Sequence, residues 1–565
     1  MKRALAGFVL SAIAVFVSTT SACSPSPSPV TSSSTDAGSG RTCGIGTITQ
    51  PDSSCVPAEF AVACAAGFAP DPSGYGCRDV LPTDPCTGAT RAALGQTTCV
   101  PVGDCSAAFP PTNATLFVSA SGSTDATHFT TIGAAVAAAS PAAVIAVDSG
   151  TYAESVQISQ SVSIIGKCAA NVIIDGSSGG IVQGVSVNGA NPVSISGITI
   201  HGAFIGLSVE PKGVLTLSHS ILDSNYGVGI SMESGTGNAT LDDVVIRNTQ
   251  GQTEPGFGIN EQASSVLAIT NTELTGNHDT ALRVSSNSKV TIANSVISHT
   301  SEYTGYEYGR GLVVQSGGSA DVSTTTFFEN MENGIVLNAA TAKLTQIVVR
   351  DTNMLPGGAY GRGIDAFDQG NFTLDSSTIS NNHDAGIIIV NSTATVTKTV
   401  VQNTQLNGSG TFGRGFAVQE GSHLTMEGCA ILQSHESGMA IFSANTIATI
   451  SKTFIQGTLF NGDGTIGYGI VGIDGPAMTV QNSEIDSCAG TGLAFAGAAG
   501  ILASSVISNN SVGIATTDDI TLQEDQAAPS QVVANTAVVT RDTQFIANQT
   551  RAISGTIPLP TTISQ

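Results

Sequence analysis

A Gly-Arg-Gly triplet returns three times in this chain at intervals of 52 residues, beginning at Gly309, Gly361 and Gly413. A second series, a small residue followed by an apolar one, interleaves with the first every 52 to 54 residues: Gly229-Ile230, Ala281-Leu282, Gly334-Ile335, Gly386-Ile387, Gly438-Met439 and Gly492-Leu493. Two interleaved series with one period predict a repeat unit of two unequal turns, of about 22 and about 30 residues. Such a unit is typical of a solenoid.

The composition agrees with stacked short strands and turns. Of 565 residues 64 are glycine, only 11% are charged, and tryptophan is absent. A helix bundle would need more Lys, Glu and Leu. The net charge of −23, with only 19 Lys and Arg, predicts no nucleic-acid partner, because phosphate binding needs a basic surface.

The N-terminus has the pattern of an export signal. Residues 1–22 hold two basic residues, a short apolar run and then small residues, and the run is too short to span a membrane. The sequence TSAC at residues 20–23 is similar to a bacterial lipobox, in which Cys23 becomes the lipidated N-terminus. Ordinary cleavage, with Cys23 as one more thiol, is the alternative. Residues 23–42, rich in Pro and Ser, are expected to form a disordered tether.

Six cysteines follow as three evenly spaced pairs: Cys43 and Cys55, Cys64 and Cys77, Cys86 and Cys99. In an exported segment poor in apolar residues, this spacing predicts three local disulfides. Each would constrain the unfolded chain by ~3 kcal/mol on the loop-entropy model. A zinc site does not suit the long gaps and the lack of histidine. Residues 43–110 are therefore expected to form a disulfide-rich stalk, with Cys105 joined to Cys168, the next thiol.

The entrance to the solenoid follows. Ile132, Val136 and Ala139 have helical spacing and predict a short amphipathic helix over the open end of the first coil. FTTIGAAVAAA, VIAVDSGTYAESVQI and VSIIGKC, within residues 129–168, resemble the cap and opening coils of right-handed parallel β-helix proteins of the pectate-lyase-like superfamily. Together with the paired cysteines, the chain resembles a group of myxobacterial surface lipoproteins. The resemblance implies an all-β fold, a right-handed parallel β-helix over residues 115–516.

Thirteen strand–turn–strand units between residues 193 and 507 support this fold. One polar column precedes the short-coil glycines by four residues and is interpreted as a structural ladder: Asn225, Asn277, Asn330, Asn382, Ser434, Cys488 and Asn509. Cys429 and Cys488 are expected to be buried thiols, too far apart for a disulfide.

An arginine column and an acid column are the candidate binding residues: Arg310, Arg362, Arg414, Asp368, Glu420 and Asp474. Polysaccharide lyases of the resembled superfamily use a basic residue to abstract a proton, and carboxylates with calcium to neutralise uronates. Arg362 with Asp365 and Asp368 is the candidate catalytic cluster under that interpretation, and calcium is a cofactor only in that case. The alternative is that each arginine pairs with an acid of a neighbouring turn, because a repeat duplicates whatever it contains.

A second column places histidine beside a carboxylate in the short turns: His278-Asp279, His383-Asp384 and His435-Glu436, with Met331-Glu332 between them. A general base is one interpretation. Adjacent residues on an extended turn point apart, however, and the sequence favours solvated turn tips.

The outward positions of one strand per coil change character along the chain: Ser231, Asn260, Arg283, Val313, Val336, Asp365, Ile388, Ala417, Ala440, Val471, Ala494 and Ala515. We call these twelve residues the stripe. Its later part is small and apolar, which predicts a cover or a binding partner. Residues 517–565 leave the repeat but contain the strand-like runs 531–533 and 536–540. These runs are expected to cap the last coil, and the Pro-containing end to fold back along the stripe.

The sequence therefore predicts an exported, lipid-anchored protein of the outer membrane or cell surface. Its solenoid would be a binding or structural module, with polysaccharide or the cell envelope as partner and with no cofactor or metal. The alternative is a polysaccharide lyase or related carbohydrate-active enzyme. A third class, a structural spacer, would bind no glycan. Signatures of the superfamily's hydrolases and esterases are missing, which weakens the enzyme interpretation without removing it.

Overall fold

The computed structural model describes residues 43–58, 63–177, 180–233, 235–251, 256–302 and 308–564. The predicted signal peptide, the lipidated Cys23 and the tether lie outside these residues. Within them, no helix is long and apolar enough to cross a membrane.

Each coil of the solenoid contributes a strand to three parallel sheets, here called A, B and C. Sheet A contains Leu116–Val118, His128–Phe129, Ala143–Val147, Val162–Gly166, Pro192–Ser196, Val214–Asp223, Asn238–Arg247, Val266–Thr270, Lys289–Ala293, Ser319–Ser323, Thr341–Thr345, Asn371–Asp375, Thr393–Thr397, His423–Glu427, Ile447–Ser451, Ala477–Gln481, Ala499–Ala503, Thr521–Gln526 and Thr536–Thr540. Sheet B contains Gly150–Tyr152, Val172–Asp175, Thr199–His201, Glu273–Thr275, Val296–Ser298, Thr326–Phe328, Val348–Arg350, Thr378–Ser380, Val400–Gln402, Ala430–Leu432, Phe454–Gln456, Glu484–Asp486, Val506–Ser508 and Gln544–Ile546. The two are joined by Val214–Asp223 and Asn238–Arg247, which run through both.

In the part of the chain that the structure describes, sheet C has 16 strands, one for each coil. They are Val156–Ile158, Gln183–Val187, Ile205–Val209, Val228–Met232, Phe257–Glu261, Asp279–Val284, Gly309–Gln315, Asn333–Asn338, Arg362–Phe367, Ala385–Val390, Arg414–Gln419, Glu436–Phe442, Gly467–Ile473, Thr491–Ala496, Val512–Thr516 and Thr550–Ser554. The helix Ile132–Ala138 follows the first two strands of sheet A and buries Ile132, Ala135 and Val136 in the same core. Of the residues that predicted it, Ile132 and Val136 lie in the helix and Ala139 is its C-cap.

The repeating glycines allow neighbouring coils to approach closely where strands of sheet C begin. A Cβ atom on Gly363 would lie 2.5 Å from the carbonyl oxygen of Gly386 in the next coil. A Cβ atom on Gly386 would lie 2.9 Å from the carbonyl oxygen of Gly415. The two series therefore face each other across successive coils, and any side chain there would push the coils apart.

The asparagine column forms the predicted ladder, with one correction. Asn277 accepts a hydrogen bond from the backbone N–H of Thr249 at 3.1 Å and donates to the carbonyl of Ile246 at 3.0 Å. At the end of the column Asn510, and not Asn509, takes this role, because it accepts from the backbone N–H of Cys488. The last turn is one residue shorter, so Asn509 points outward to Asp486 instead.

Cys429 and Cys488 are free, buried thiols, as predicted. Burial raises the pKa of each to about 12. Both thiols are therefore protonated and unreactive at neutral pH.

The disulfide-rich segment contains three antiparallel hairpins, whose strands are Thr47–Thr49 with Cys55–Pro57, Phe68–Pro70 with Cys77–Asp79, and Thr90–Arg91 with Val100–Pro101. The bonds join Cys43 to Cys55, Cys64 to Cys77, and Cys86 to Cys99, the pairs that the spacing predicts. A fourth bond joins Cys105 to Cys168.

This segment does not extend away from the solenoid, and the expectation of a stalk is corrected here. It lies along the outer face of sheet B, and we call it the strap (the described residues from 43 to 105). Ile48, Ala58 and Tyr75 are buried against Val400 and Phe454 of the solenoid. The strap packs because its few apolar side chains would otherwise be exposed to water.

The solenoid also continues beyond residue 516. Thr536–Thr540, Gln544–Ile546 and Thr550–Ser554 pair with the preceding coil in sheets A, B and C. The strand predicted at 536–540 is therefore confirmed, whereas residues 531–533 form no strand. This last coil caps the stack. Residues 555–564, which we call the tail, then turn back along sheet C.

Candidate binding face on sheet C

Strand register places the twelve stripe residues in one outward column of sheet C. Each pairs with the next along the whole series, from Ser231 with Asn260 to Ala494 with Ala515. Ile553 of the last coil continues the column. The change from polar to small apolar residues that the sequence shows is therefore a change along one continuous face.

The tail covers the apolar part of the stripe, as predicted. Ile557 is buried in a cluster with Ala440, Val471 and other residues of the later coils. Ile563 is buried in a second cluster with Ile388 and Ala417. The small stripe residues leave room for the larger tail side chains, and together they remove an exposed apolar strip from water.

Side chains of sheet C hold the tail backbone by hydrogen bonds. The hydroxyl of Tyr468 donates to the carbonyl of Pro558 at 2.6 Å. Nη2 of Arg414 donates to the carbonyl of Thr561 at 2.5 Å, and Nη2 of Arg362 to that of Ser564 at 2.6 Å. Among the described residues, the tail's hydrogen bonds to the face end at Arg362.

Gln419 contacts the tail through both ends of its amide. Its Nε2 donates to the carbonyl of Ile563 at 2.7 Å, and its Oε1 accepts from the N–H of the same residue at 3.3 Å. The tail is therefore recognised through amide groups of its backbone rather than through a strand ladder.

The three arginines share one local arrangement, which we call a rung. Each has an aromatic ring two residues earlier and an acid 22 residues later, on the next coil. The Arg310 rung contains Tyr308 and Glu332, the Arg362 rung Tyr360 and Asp384, and the Arg414 rung Phe412 and Glu436. The guanidinium carbons lie 4.0, 4.5 and 4.8 Å from the ring centroids. Because an acid of the neighbouring coil pairs with each arginine, the duplication alternative of the sequence analysis fits the geometry.

The predicted acid column lies elsewhere. Asp368, Glu420 and Asp474 are exposed, and each has a positive φ angle in the turn that follows a strand of sheet C. They are not among the partners of the arginines. The sequence does contain a signal for the correct partners, because each of these acids follows its arginine by 22 residues, the length of one short coil.

The Arg362 rung is buried and crowded with charge. Arg362 donates to Asp384 at 2.8 Å and to Asp365 at 2.7 Å, and only 3% of its side chain is exposed. Burial alone would lower the pKa of Arg362, but the two carboxylates outweigh it and raise that pKa. Burial raises the pKa of Asp365, and the nearby guanidinium of Arg362 offsets this rise only in part. Arg362 is thus a fixed cation beneath the tail, with Asp365 but without Asp368 beside it.

In the histidine–acid column, the two side chains of each pair point in different directions. His383 and His435 place Nδ1 at 3.0 and 2.9 Å from the carbonyl oxygens of Thr352 and Thr404. Their neighbours Asp384 and Glu436 are buried and bind the arginines. The adjacent side chains do point apart, but the acids are not solvated turn tips.

The part of sheet C before the tail is polar. Nδ2 of Asn260 donates to Oε1 of Glu233 at 2.6 Å. Arg283 lies over the ring of Phe257 at 5.5 Å, and its Nη2 lies 3.0 Å from the amide oxygen of Gln315 when that amide is oriented to accept. The side chains of Glu233 and Arg283 are accessible to solvent.

The Arg310 rung stands between this polar part and the tail. Nε and Nη2 of Arg310 donate to the two oxygens of Glu332 at 2.7 and 2.6 Å, and 23% of the side chain is exposed. Tyr308 is 40% exposed. Asn333, in the next strand, is 2% exposed, and its Oδ1 has no hydrogen-bond partner in the described part of the chain.

A right-handed parallel β-helix with a face that binds an extended segment is the class that these features define. A family model described as right handed beta helix region matches residues 183–353, 308–455 and 349–512, which together span more than half of the chain. The chain belongs to this family. The resemblance to myxobacterial surface lipoproteins finds no support in the comparisons and stays a prediction, and the search of curated proteins finds no match.

Several solved structures have a similar fold at low identity. The catalytic unit of a thermostable α-1,3-glucanase from Streptomyces thermodiastaticus is 13% identical with a TM-score of 0.35, covering 79% of this chain and 71% of that one. The A-module of a mannuronan C-5 epimerase from Azotobacter vinelandii is 13% identical with a TM-score of 0.28, covering 73% and 94%. An alginate lyase from Paenibacillus is 14% identical with a TM-score of 0.20, covering 62% and 91%. At these values the likeness carries no argument about activity.

Proposed function

We propose that this protein is an exported surface protein whose sheet C binds an extended polysaccharide. The disulfides support export, because such bonds persist in oxidising compartments. A lipid anchor at Cys23 is part of the proposal and would hold the solenoid at the outer membrane or cell surface.

One observation carries the binding proposal: accessible polar and aromatic groups follow one another along the face where the tail contacts end. Glu233, Arg283, Arg310 and Tyr308 offer acceptors, donors and an aromatic ring within a few coils. A hydroxyl-rich polymer uses such groups together, since each sugar presents both hydrogen-bonding edges and an apolar face.

The lyase alternative has less support. Its candidate base, Arg362, is bonded to two carboxylates and to a tail carbonyl, and it is almost fully buried. An arginine can accept a proton only in its deprotonated form and must also reach the substrate, and this buried, doubly paired arginine meets neither condition. We therefore favour binding over catalysis.

A glycan array with residues 41–565 tests the proposal. We expect retention of at least one polysaccharide, weakened by Arg283→Ala and unchanged by Lys343→Ala, which removes an exposed cation from sheet A. Loss of signal in both variants, or no binding by the unaltered chain, would contradict it. Incubation with uronate polymers, followed by ultraviolet absorbance, tests the lyase alternative in the same samples.

A further inference from the structure

The contacts of the tail show which chemical group this face recognises. Arg414 and Arg362 each donate one N–H to an amide carbonyl, and Gln419 binds both the N–H and the C=O of Ile563. These are hydrogen bonds to neutral amides, made by guanidinium and carboxamide groups whose positions are set by the strands.

The Arg310 rung lies two strands before Arg362, where the hydrogen bonds of the described tail residues end, and it has the same combination of arginine, aromatic ring and acid. In the Arg362 and Arg414 rungs Nη2 binds a tail carbonyl, whereas in the Arg310 rung Nη2 binds the second oxygen of Glu332. Arg310 is the most accessible of the three, and Tyr308 lies beside it. Because Nε and Nη2 of Arg310 are both bound to Glu332, Nη1 is the donor left for an external ligand, and it makes no hydrogen bond among the described residues.

Asn333 supplies the complementary acceptor. It pairs with Arg362 in register and lies level with Arg310 in the preceding strand, because Ile335 pairs with Leu312. A buried acceptor without a partner costs roughly 1–3 kcal/mol. The N–H of a bound amide would satisfy Oδ1 of Asn333, just as Gln419 accepts from Ile563.

The local charge favours a neutral ligand over an anion. Arg310 faces two acids, Glu332 at hydrogen-bond distance and Asp279 on the preceding coil. Burial raises the pKa of both acids. A uronate would add a further carboxylate beside Glu332 and Asp279, which already share the guanidinium groups around them, and its desolvation would be poorly compensated.

We propose that Arg310 and Asn333 bind the acetamido groups of an N-acetylated amino-sugar polymer, with Tyr308 packed against a sugar ring. This inference rests on the proposed function and specifies the class of polysaccharide that the face would bind. An extended peptide also carries amides, but the tail needs a floor of small apolar residues for Ile557 and Ile563. At the Arg310 rung the stripe consists of the already buried Val313 and Val336, and before it of Asn260 and Arg283, whose polar groups suit hydroxyls better.

Calorimetric titration of residues 41–565 tests this with matched ligands. The set contains an N-acetylglucosamine oligomer, its de-N-acetylated counterpart, a glucose oligomer, oligogalacturonate and a peptide copying residues 555–564. We expect the acetylated oligomer to bind at least about tenfold more tightly than the others, the difference of one or two hydrogen bonds.

Two variants locate the binding. Asn333→Leu has a similar shape and removes a group that has no partner, so the thermal unfolding midpoint should be unchanged while affinity for the acetylated oligomer falls about tenfold. Tyr308→Ala should weaken the same ligand without loss of fold, because the ring is exposed. Lys343→Ala should change nothing.

The outcomes separate the two proposals. Equal binding of acetylated and glucose oligomers would overturn the acetamido inference and leave polysaccharide binding intact. Binding of the peptide alone would overturn both and make the face a peptide site. No carbohydrate binding at all would overturn the proposed function itself.

Discussion

Oε2 of Glu273 accepts a hydrogen bond from the backbone N–H of Ala92 at 2.9 Å, joining the third hairpin of the strap to sheet B. The first hairpin makes the same contact further along, where Glu484 accepts from Thr49 at 2.8 Å. Between them the hydroxyl of Thr378 accepts from the N–H of Cys77 at 2.9 Å. Four strand pairings separate each acceptor from the next. The hairpins are therefore anchored about 19 Å apart, a distance of two 52-residue repeats.

The first prediction concerns a buried acid in the core. Glu261 is fully buried, and burial raises its pKa to about 8 from the ordinary 4.5. Because the folded pKa is the higher one, its stabilising contribution is fully present below pH 4.5 and is lost as pH rises through 8. Glu261→Gln should therefore gain stability over the unaltered chain as pH rises, by on the order of 4 kcal/mol.

Thermal unfolding at pH 4.5 and above pH 8 measures this difference. Glu233→Gln is the matched control, since that acid is exposed and its removal should leave the pH dependence unchanged. An equal pH slope in Glu261→Gln and the unaltered chain would show that the carboxyl is not buried as described.

The repeat made sheet C predictable to single-residue register. A constant period places equivalent residues in one column, and alternation along each strand decides which residues point outward. The position of the stripe follows from these two facts, whereas its cover was inferred from its apolar residues and from the Pro-containing end that lies outside the repeat. An uncovered strand would have polar residues at the outward positions, but Ile388 and Ala515 are apolar. This departure indicates that another segment covers the stripe.

The partners of the arginines and the position of the strap were not predicted, for different reasons. Asp365 and Asp368 are the acids that closely follow Arg362 in sequence, and of these Asp365 does bind it. Its other partner, Asp384, is distant in sequence but adjacent in the stack. The strap binds sheet B through backbone N–H groups, which any residue except proline supplies, so Thr49 and Ala92 leave no sequence pattern.

The second prediction tests the cover provided by the tail. A chain ending at Ser554 keeps the last coil but exposes the apolar part of the stripe. It should bind a hydrophobic dye or oligomerise, because a strip of this kind in water favours association. Dye fluorescence and light scattering measure both. Tyr468→Phe is the control, since it removes only the hydrogen bond to Pro558, costs about 1 kcal/mol and should stay monomeric.

The third prediction tests the inward register of sheet C. Ile387→Asp or Leu493→Asp would place a carboxylate in a fully buried position without a partner. The cost is several kcal/mol, so the solenoid should unfold at a much lower temperature or fail to fold. Ile447→Asp is the control, because that side chain is 46% exposed. A sharp, unshifted transition in the first two variants would contradict the register.

The last prediction tests whether the strap is matched in length to the solenoid. Removing residues 311–362 joins Arg310 to Gly363 and restores the Gly-Arg-Gly triplet at the junction. The stack loses two coils without a break in its repeat, but Glu273 and Thr378 then lie only about 10 Å apart. Because each hairpin is closed by its own disulfide, the strap cannot shorten, and one of its anchors must be released.

Thermal unfolding should then show an intact solenoid, whereas limited proteolysis should show a released strap. The solenoid of the shortened chain should still unfold cooperatively, since the coils on either side of the excision become direct neighbours. The strap should be cleaved between its second and third hairpins, where the full chain resists. The excision also removes Arg350, which binds Asp79 at 2.8 Å, so Arg350→Ala in the full chain is the control and should leave the strap protected. Protection of the strap in the shortened chain would show that its anchors do not depend on the four-coil spacing.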